Sequence, residues 1–292
     1  MTESSVLVSG LYFGEGLRWH DDRLYYSDFY AHSVFASTAD GTVEKVVEIG
    51  GMPSGLGWLP DGRMLVVSME ERWVLAVDNG VVSQHADLSE VAGFRANDML
   101  VLPEGRAYVG DFAFDLDGLI DSEGPSALFG DPGPPKGTIA IVEADGSVRA
   151  GPDQMRFANG TCVTPDGGVL VVAETLGNCL TAFDIGADGS LSGRRLWAEL
   201  GYVLPDGICM DAEGCVWLAN AVAPECLRVA EGGEVRGRVD TTQAAYSCCL
   251  GGPRGTTLFV ATAAGSHHST AGASRSGHIR GAEVEVPGIG SP

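Results

Sequence analysis

The sequence predicts an all-β protein: a six-bladed β-propeller with four-stranded antiparallel blades around a central, metal-containing channel. Three observations predict it. First, six tight turns recur, at Asp22, Gly62, Gly105, Gly167, Gly214 and Gly255. A run of strand formers follows each: Leu24-Tyr25-Tyr26, Leu65-Val66-Val67, Ala107-Tyr108-Val109, Leu170-Val171-Val172, Val216-Trp217-Leu218 and Leu258-Phe259-Val260. Second, the turns are spaced by 40, 43, 62, 47 and 41 residues, and a period near 40 with several strands per repeat is that of propeller blades. Third, the repeats are β-branched and aromatic runs broken by Pro-Asp-Gly, Pro-Glu-Gly and Asp-Gly turns. They show no sustained helical period, which argues against a helical solenoid.

Within a repeat the elements follow in a fixed order. An inner strand such as Pro53-Ser54-Gly55-Leu56-Gly57-Trp58 is followed by the turn Leu59-Pro60-Asp61-Gly62 and a second strand over Arg63 to Ser68. Two outer strands, Trp73 to Val77 and Gly80 to Val82, complete the unit. The extended run His278 to Pro287 and the strand-like Ser5-Val6-Leu7-Val8-Ser9 are expected to pair and close the ring in one blade. Trp58, Trp73 and Trp217 fall in strand patterns and are expected in the core. The domain prediction is a single propeller over residues 1–292 with an inserted loop around 115–137, the source of the 62-residue spacing. That loop is rich in glycine and proline; leaving the third repeat, it reads as a lid or pocket wall over one channel mouth, or as an inert insertion.

Bulk properties exclude several function classes. A net charge of −21 repels a phosphate backbone and an anionic membrane surface, so nucleic acid and membrane are not expected partners. No stretch approaches the length of an apolar membrane span, and the start Met-Thr-Glu-Ser-Ser lacks the features of a signal peptide. The seven cysteines are odd in number and form no Cys-x-x-Cys pair, as expected of reduced thiols in the cytoplasm. Cys248 and Cys249 alternate on a strand, one in the core and one beside it, and are not read as a redox pair. The expected partner is a small-molecule substrate; the sequence leaves the oligomeric state open.

Counting back eight residues from each turn, or seven in the first, reaches Glu15, Ser54, Asn97, Asn159, Asp206 and Ser247. Equivalent positions in a closed circular array converge on its axis. Two carboxylates held about 5 Å apart repel by roughly 3 kcal/mol at an effective dielectric of 20, and burial adds a desolvation cost. Unless a cation neutralises both, one must take up a proton. The donors are hard oxygens, which suits one divalent cation, Ca²⁺ first, with Mg²⁺, Mn²⁺ or Zn²⁺ as alternatives.

The segments Gly14-Glu15-Gly16-Leu17-Arg18-Trp19, Pro53-Ser54-Gly55-Leu56-Gly57, Arg95-Ala96-Asn97-Asp98, Phe157-Ala158-Asn159-Gly160 and Leu204-Pro205-Asp206-Gly207-Ile208 carry a resemblance. With them, and with the closing Leu250-Gly251-Gly252 and Leu258 to Thr262, the chain resembles the senescence marker protein/gluconolactonase family, which includes regucalcin. It also looks similar to the diisopropylfluorophosphatase group. The resemblance implies a six-bladed propeller with one catalytic divalent ion. By it, Glu15, Asn159 and Asp206 match metal ligands, and Asn97 matches a position that binds metal in some relatives and substrate in others. Arg95 matches a substrate-contacting arginine, and Asp206 the residue proposed as general base in lactonase members. The chain departs from the gluconolactonases at Gly110-Asp111-Phe112-Ala113-Phe114-Asp115. Phe112 and Phe114 there predict a substrate wall for a ligand less polar than gluconolactone.

These readings predict a metal-dependent lactonase, the metal polarising the lactone carbonyl, Asp206 acting as base, and Arg95 and Asn97 holding substrate oxygens. Phosphotriester hydrolysis, a cyclisation or rearrangement on the same scaffold, and non-catalytic calcium binding stay open as alternatives. Ser54 lies in Met52-Pro53-Ser54-Gly55 and lacks the nucleophile-elbow pattern; zinc-protease, phosphate-loop and dinucleotide motifs are absent. His267-His268 falls in a flexible-looking segment after the last turn's strand. It reads either as a surface loop or as a channel-mouth histidine.

Overall fold

A computed structural model describes residues 2–38 and 41–290. It is a six-bladed β-propeller. In chain order the inner strands of the blades are Gly14–His20, Pro53–Trp58, Ala96–Val101, Ala158–Val163, Pro205–Met210 and Ala244–Gly251. Each is hydrogen-bonded to its successor and then outward through two more antiparallel strands. The sixth blade takes its outermost strand, Ser5–Leu11, from the start of the chain, paired antiparallel with Gly277–Glu283. The ring is therefore closed by joining the two ends of the chain, as the sequence predicts. One addition is the short strand Thr2–Glu3, which lies parallel to Val235–Asp240 on the edge of blade five.

The six turn positions share a backbone conformation. Gly62, Gly105, Gly167, Gly214 and Gly255 have φ between 70° and 91°, and Asp22 has φ 58°. Aspartate tolerates this left-handed region better than most residues, so it can stand where the other blades use glycine. Apolar residues of adjacent blades meet between the sheets. Cys162, Val171 and Leu180 of blade four pack with Ile208, Val216 and Leu218 of blade five. Val34 and Val47 of blade one pack with Leu56, Val66 and Leu75 of blade two. Trp217 is buried, but Trp58 and Trp73 are only half-buried at the edge of that second cluster. Trp58 is capped by the His20 ring at 3.9 Å. Cys248 and Cys249 are both buried, not one in and one beside the core. They face the blade five–six and blade six–one interfaces respectively.

Every inner strand carries one extra residue at or beside its axial position. In blade four, Ala158 and Thr161 lie opposite Glu174 and Val172; in blade one, Glu15 and Arg18 lie opposite Ser27 and Tyr25. Equivalent register shifts occur in the other four inner strands. A bulge of this kind bends the strand and re-aims a side chain; in blades two to five it contains the axial residue, and in blades one and six Glu15 and Ser247 border it. In four blades a glycine follows that residue: Gly16, Gly55, Gly160 and Gly207. A Cβ on Gly160 would lie 2.4 Å from the Ile208 nitrogen, and one on Gly207 would lie 2.7 Å from the Ser247 Cα. These positions have no side chain because the next inner strand passes through the space.

The insertion is more ordered than its composition predicts. It holds helix α1, Leu116–Glu123, followed by a 3₁₀ turn, Pro125–Phe129. The carboxylate of Asp115 accepts from the Gly118 backbone N–H at 3.0 Å and caps α1. The buried carboxylate of Asp111 accepts from Gly93 N–H at 2.6 Å and Thr138 N–H at 2.8 Å, tying the base of the insertion to blade three. The segment around His267-His268 is likewise structured, as the short helix α2, His268–Ala271. Among the described residues no helix is long and apolar enough to cross a membrane.

Candidate active site

The six axial residues meet on the propeller axis, all at most 8% exposed. Hydrogen bonds join three of them in a row. Ser54 Oγ donates to Asn97 Oδ1 at 3.2 Å, and Asn97 Nδ2 donates to Asn159 Oδ1 at 3.4 Å. Asn159 Nδ2 donates to Thr175 Oγ1 at 3.2 Å, and its side-chain amide lowers the proton affinity of the Asp206 carboxylate. The Ser247 hydroxyl accepts from Leu17 N–H at 3.2 Å and lowers the proton affinity of Glu15. Thr175, which carries no signal in the repeat pattern, donates to the Pro205 carbonyl at 2.7 Å and so ties blade four to the strand that carries Asp206.

A third buried carboxylate joins Glu15 and Asp206. Asp98, 3% exposed, occupies the position after Asn97 that is glycine in four blades. Burial raises the affinity of all three for a proton. For Glu15 the charges of Asp206 and then Asp98 add to that effect; for Asp206 the charge of Asp98 does. The opposing charge is Arg18, also buried. Its guanidinium is anchored on the Leu17 carbonyl at 2.7 Å and the Met99 carbonyl at 2.5 Å, and it lowers the proton affinity of Asp98. Asp98 Oδ1 and Arg18 Nε have no hydrogen-bond partner among the described residues. Three carboxylates against one guanidinium leave two negative charges on the axis when all are ionised. That surplus, with oxygen donors from two acids and two amides, fits a hard dication.

Four of the axial residues, Glu15, Asn97, Asn159 and Asp206, form the floor of a cavity of about 210 Å³. Its polar rim includes Arg95, whose guanidinium lies 3.3 Å from Glu70 Oε1 and 5.5 Å from the Phe94 ring centroid. Most of the wall is apolar: Phe13, Phe29, Met52, Met69, Phe112, Phe157, Leu176 and Leu204 from the blades. The insertion adds Leu116, Ile120 and Leu128. Phe112 is part of this wall. Phe114 is not: it packs behind the wall against Phe157, 5.9 Å between centroids, and borders an open groove on the outer side of α1. The reason is the insertion itself, since the chain turns at Ala113 with φ 62° and sends Phe114 away from the axis.

Comparisons with known proteins agree with this architecture. Residues 13–264 match the family described as SMP-30/Gluconolactonase/LRE-like region. The chain is 25% identical to a pentonolactonase, XacC, of Haloferax volcanii over 278 residues, covering 93% of this chain and 89% of that protein. It is 28% identical to regucalcin of Danio rerio, over 61% of this chain and 57% of that protein. The solved structure of a luciferin-regenerating enzyme superposes with a TM-score of 0.80 at 19% identity, covering 98% of this chain and 97% of the other, and shares the fold. With most of its length matched and its axial residues assembled, this chain belongs to the SMP-30/gluconolactonase/LRE-like family.

Proposed function

We propose that the protein is a divalent-metal-dependent lactonase acting on a compact lactone with an apolar substituent. The observation that carries this reading is a charged, hydrogen-bonded floor at the bottom of an apolar cavity. The names of the relatives support the lactone: one is a pentonolactonase, and the family description includes gluconolactonase. The ion would be held by Glu15, Asn159 and Asp206, with Asn97 as a further ligand or as a substrate contact. Ca²⁺ fits the oxygen donors best. When bound, it supplies Lewis-acid polarisation of the substrate carbonyl.

The chain's own residues do the rest. Arg95 and Asn97 hold substrate oxygens at the rim and on the floor. Asp206, on the cavity floor, takes a proton from the attacking water. The hydroxyl adds to the acyl carbon, the ring C–O bond breaks, and Asp206 returns the proton to the departing ring oxygen, giving the hydroxy acid. The apolar wall excludes other water and strengthens these charged contacts. At about 210 Å³ the cavity is below the roughly 300–1,000 Å³ of drug-sized sites, which limits the substrate to a small molecule.

The test is a lactone panel assayed before and after EDTA treatment. Alkyl-substituted lactones should be hydrolysed with higher kcat/KM than gluconolactone, and activity should vanish with EDTA and return with Ca²⁺. Full activity in the metal-free protein would contradict the metal role; a preference for gluconolactone would contradict the substrate assignment.

A further inference from the structure

A second group of donors lies away from the axis, where α1 meets α2. Asp117 and Asp121 are one helical turn apart on α1 and share a face. His267 is the N-cap of α2 and His268 its first residue. His267 Nε2 is 3.3 Å from Asp121 Oδ1 and 3.9 Å from Asp117 Oδ1. His268 Nδ1 is 3.5 Å from Asp117 Oδ2, and the two imidazole centroids are 4.3 Å apart. One ligand atom from each of Asp117, His267 and His268 can be chosen so that all lie within 4.8 Å of one another.

We propose that these four side chains form a second metal site, for a transition dication of the zinc class, which clasps α1 over the pocket. Imidazole nitrogen with carboxylate oxygen is a zinc, cobalt or nickel donor set, unlike the all-oxygen axis. A tetrahedral ion with bonds of about 2.0–2.1 Å needs donors about 3.3 Å apart, and the shorter distances here, 3.3 and 3.5 Å, are already close to that. His267 Nε2 is shielded from solvent and makes no hydrogen bond among the described residues, although carboxylates surround it. Its other nitrogen is engaged: Nδ1 accepts from the Ser269 backbone N–H at 3.3 Å and lies 2.8 Å from Ser269 Oγ. These contacts fix the ring with Nε2 facing the carboxylates of α1.

The position gives the clasp a purpose. Asp117 and Ser266 both border the axial cavity, and Leu116 and Ile120 of α1 form part of its wall. Yet α1 has no fully buried residue. A helix so lightly packed opens locally at low cost, and an ion joining it to blade six would hold it closed. The clasp does not depend on the axial ion or on the reaction proposed above.

The experiment is calorimetric titration of the EDTA-treated protein with Zn²⁺ in the presence of excess Ca²⁺, with wild type, His267→Ala/His268→Ala and Asp121→Asn, alongside hydrogen exchange over residues 116–123. The wild type should bind one Zn²⁺ that Ca²⁺ does not displace, and exchange in α1 should slow about tenfold or more on loading. The double histidine variant should lose both effects while still binding Ca²⁺, and the exposed Asp121→Asn change should weaken Zn²⁺ binding in a folded protein. Absence of Ca²⁺-resistant zinc in the wild type, or its persistence in the double variant, would overturn the proposal. Histidine-dependent zinc without any Ca²⁺ binding would uphold the clasp and count against the axial reading alone.

Discussion

Replacing Asp206 by asparagine should lower kcat/KM for lactone hydrolysis by about 10³-fold or more, within the range for loss of a general base with a ligand lost besides. The amide cannot take the water's proton. It also removes one of the charges that make the axis a cation site. The same change should have an opposite effect on stability. In the metal-free protein Asp206 is buried beside Asp98 and Glu15, and its ionised form is disfavoured. Asparagine keeps the shape without the charge, so metal-free Asp206→Asn should unfold at higher urea concentration than metal-free wild type at pH 8. A variant that is inactive yet more stable would mark Asp206 as a functional group whose charge costs the fold. A loss of both activity and stability would assign it a structural role.

The metal-free protein should also lose stability as pH rises from about 4 toward neutrality, and Ca²⁺ should abolish that loss. Glu15, Asp98 and Asp206 all have raised folded-state pKa values, with burial the first cause in each. Between the unfolded value near 4 and the raised folded values, the native state binds more protons than the unfolded chain. Stability then falls with pH: the contribution is complete below the unfolded pKa and disappears as pH passes the folded one. A tenfold gain in proton affinity on folding corresponds to about 1.4 kcal/mol, so three such groups make a large effect. Exposed carboxylates such as Asp61, Asp145 and Asp166, whose affinities are lowered by local hydrogen bonds, act in the opposite direction. They contribute equally with and without Ca²⁺, so the difference between the two urea series isolates the axis. A metal-free series with the same pH slope as the Ca²⁺-loaded one would contradict this.

The ring and its six axial residues were legible because one structural device repeats. Every inner strand places its axial residue eight residues, or seven in the first blade, before a turn at positive φ, so counting back from the turns recovers Glu15 through Ser247. The length of that segment includes the bulge, and simple strand alternation would not have found it. Asp98 was missed for the same reason: alternation sends the residue after Asn97 to the opposite face. Its signal was present, since the equivalent position is glycine in four blades and a charged residue there breaks the pattern. The wall of the cavity was harder to read. Phe112 and Phe114 are two apart and look equivalent, but the turn at Ala113 separates them. The cap at Asp115 is a helix-start signal that the glycine and proline content of the insertion obscured. The clasp was not legible at all, because Asp117 and His267 meet only when blades three and six are joined through the ring.

The most direct test of the central claim, that the axis is built around a bound dication, is calorimetric titration of metal-free protein with Ca²⁺, comparing wild type with Glu15→Gln. One binding event in the wild type, weakened at least tenfold in the variant, is the predicted result. A wild type that takes up no Ca²⁺, or a variant that binds it as tightly as the wild type, would contradict the account.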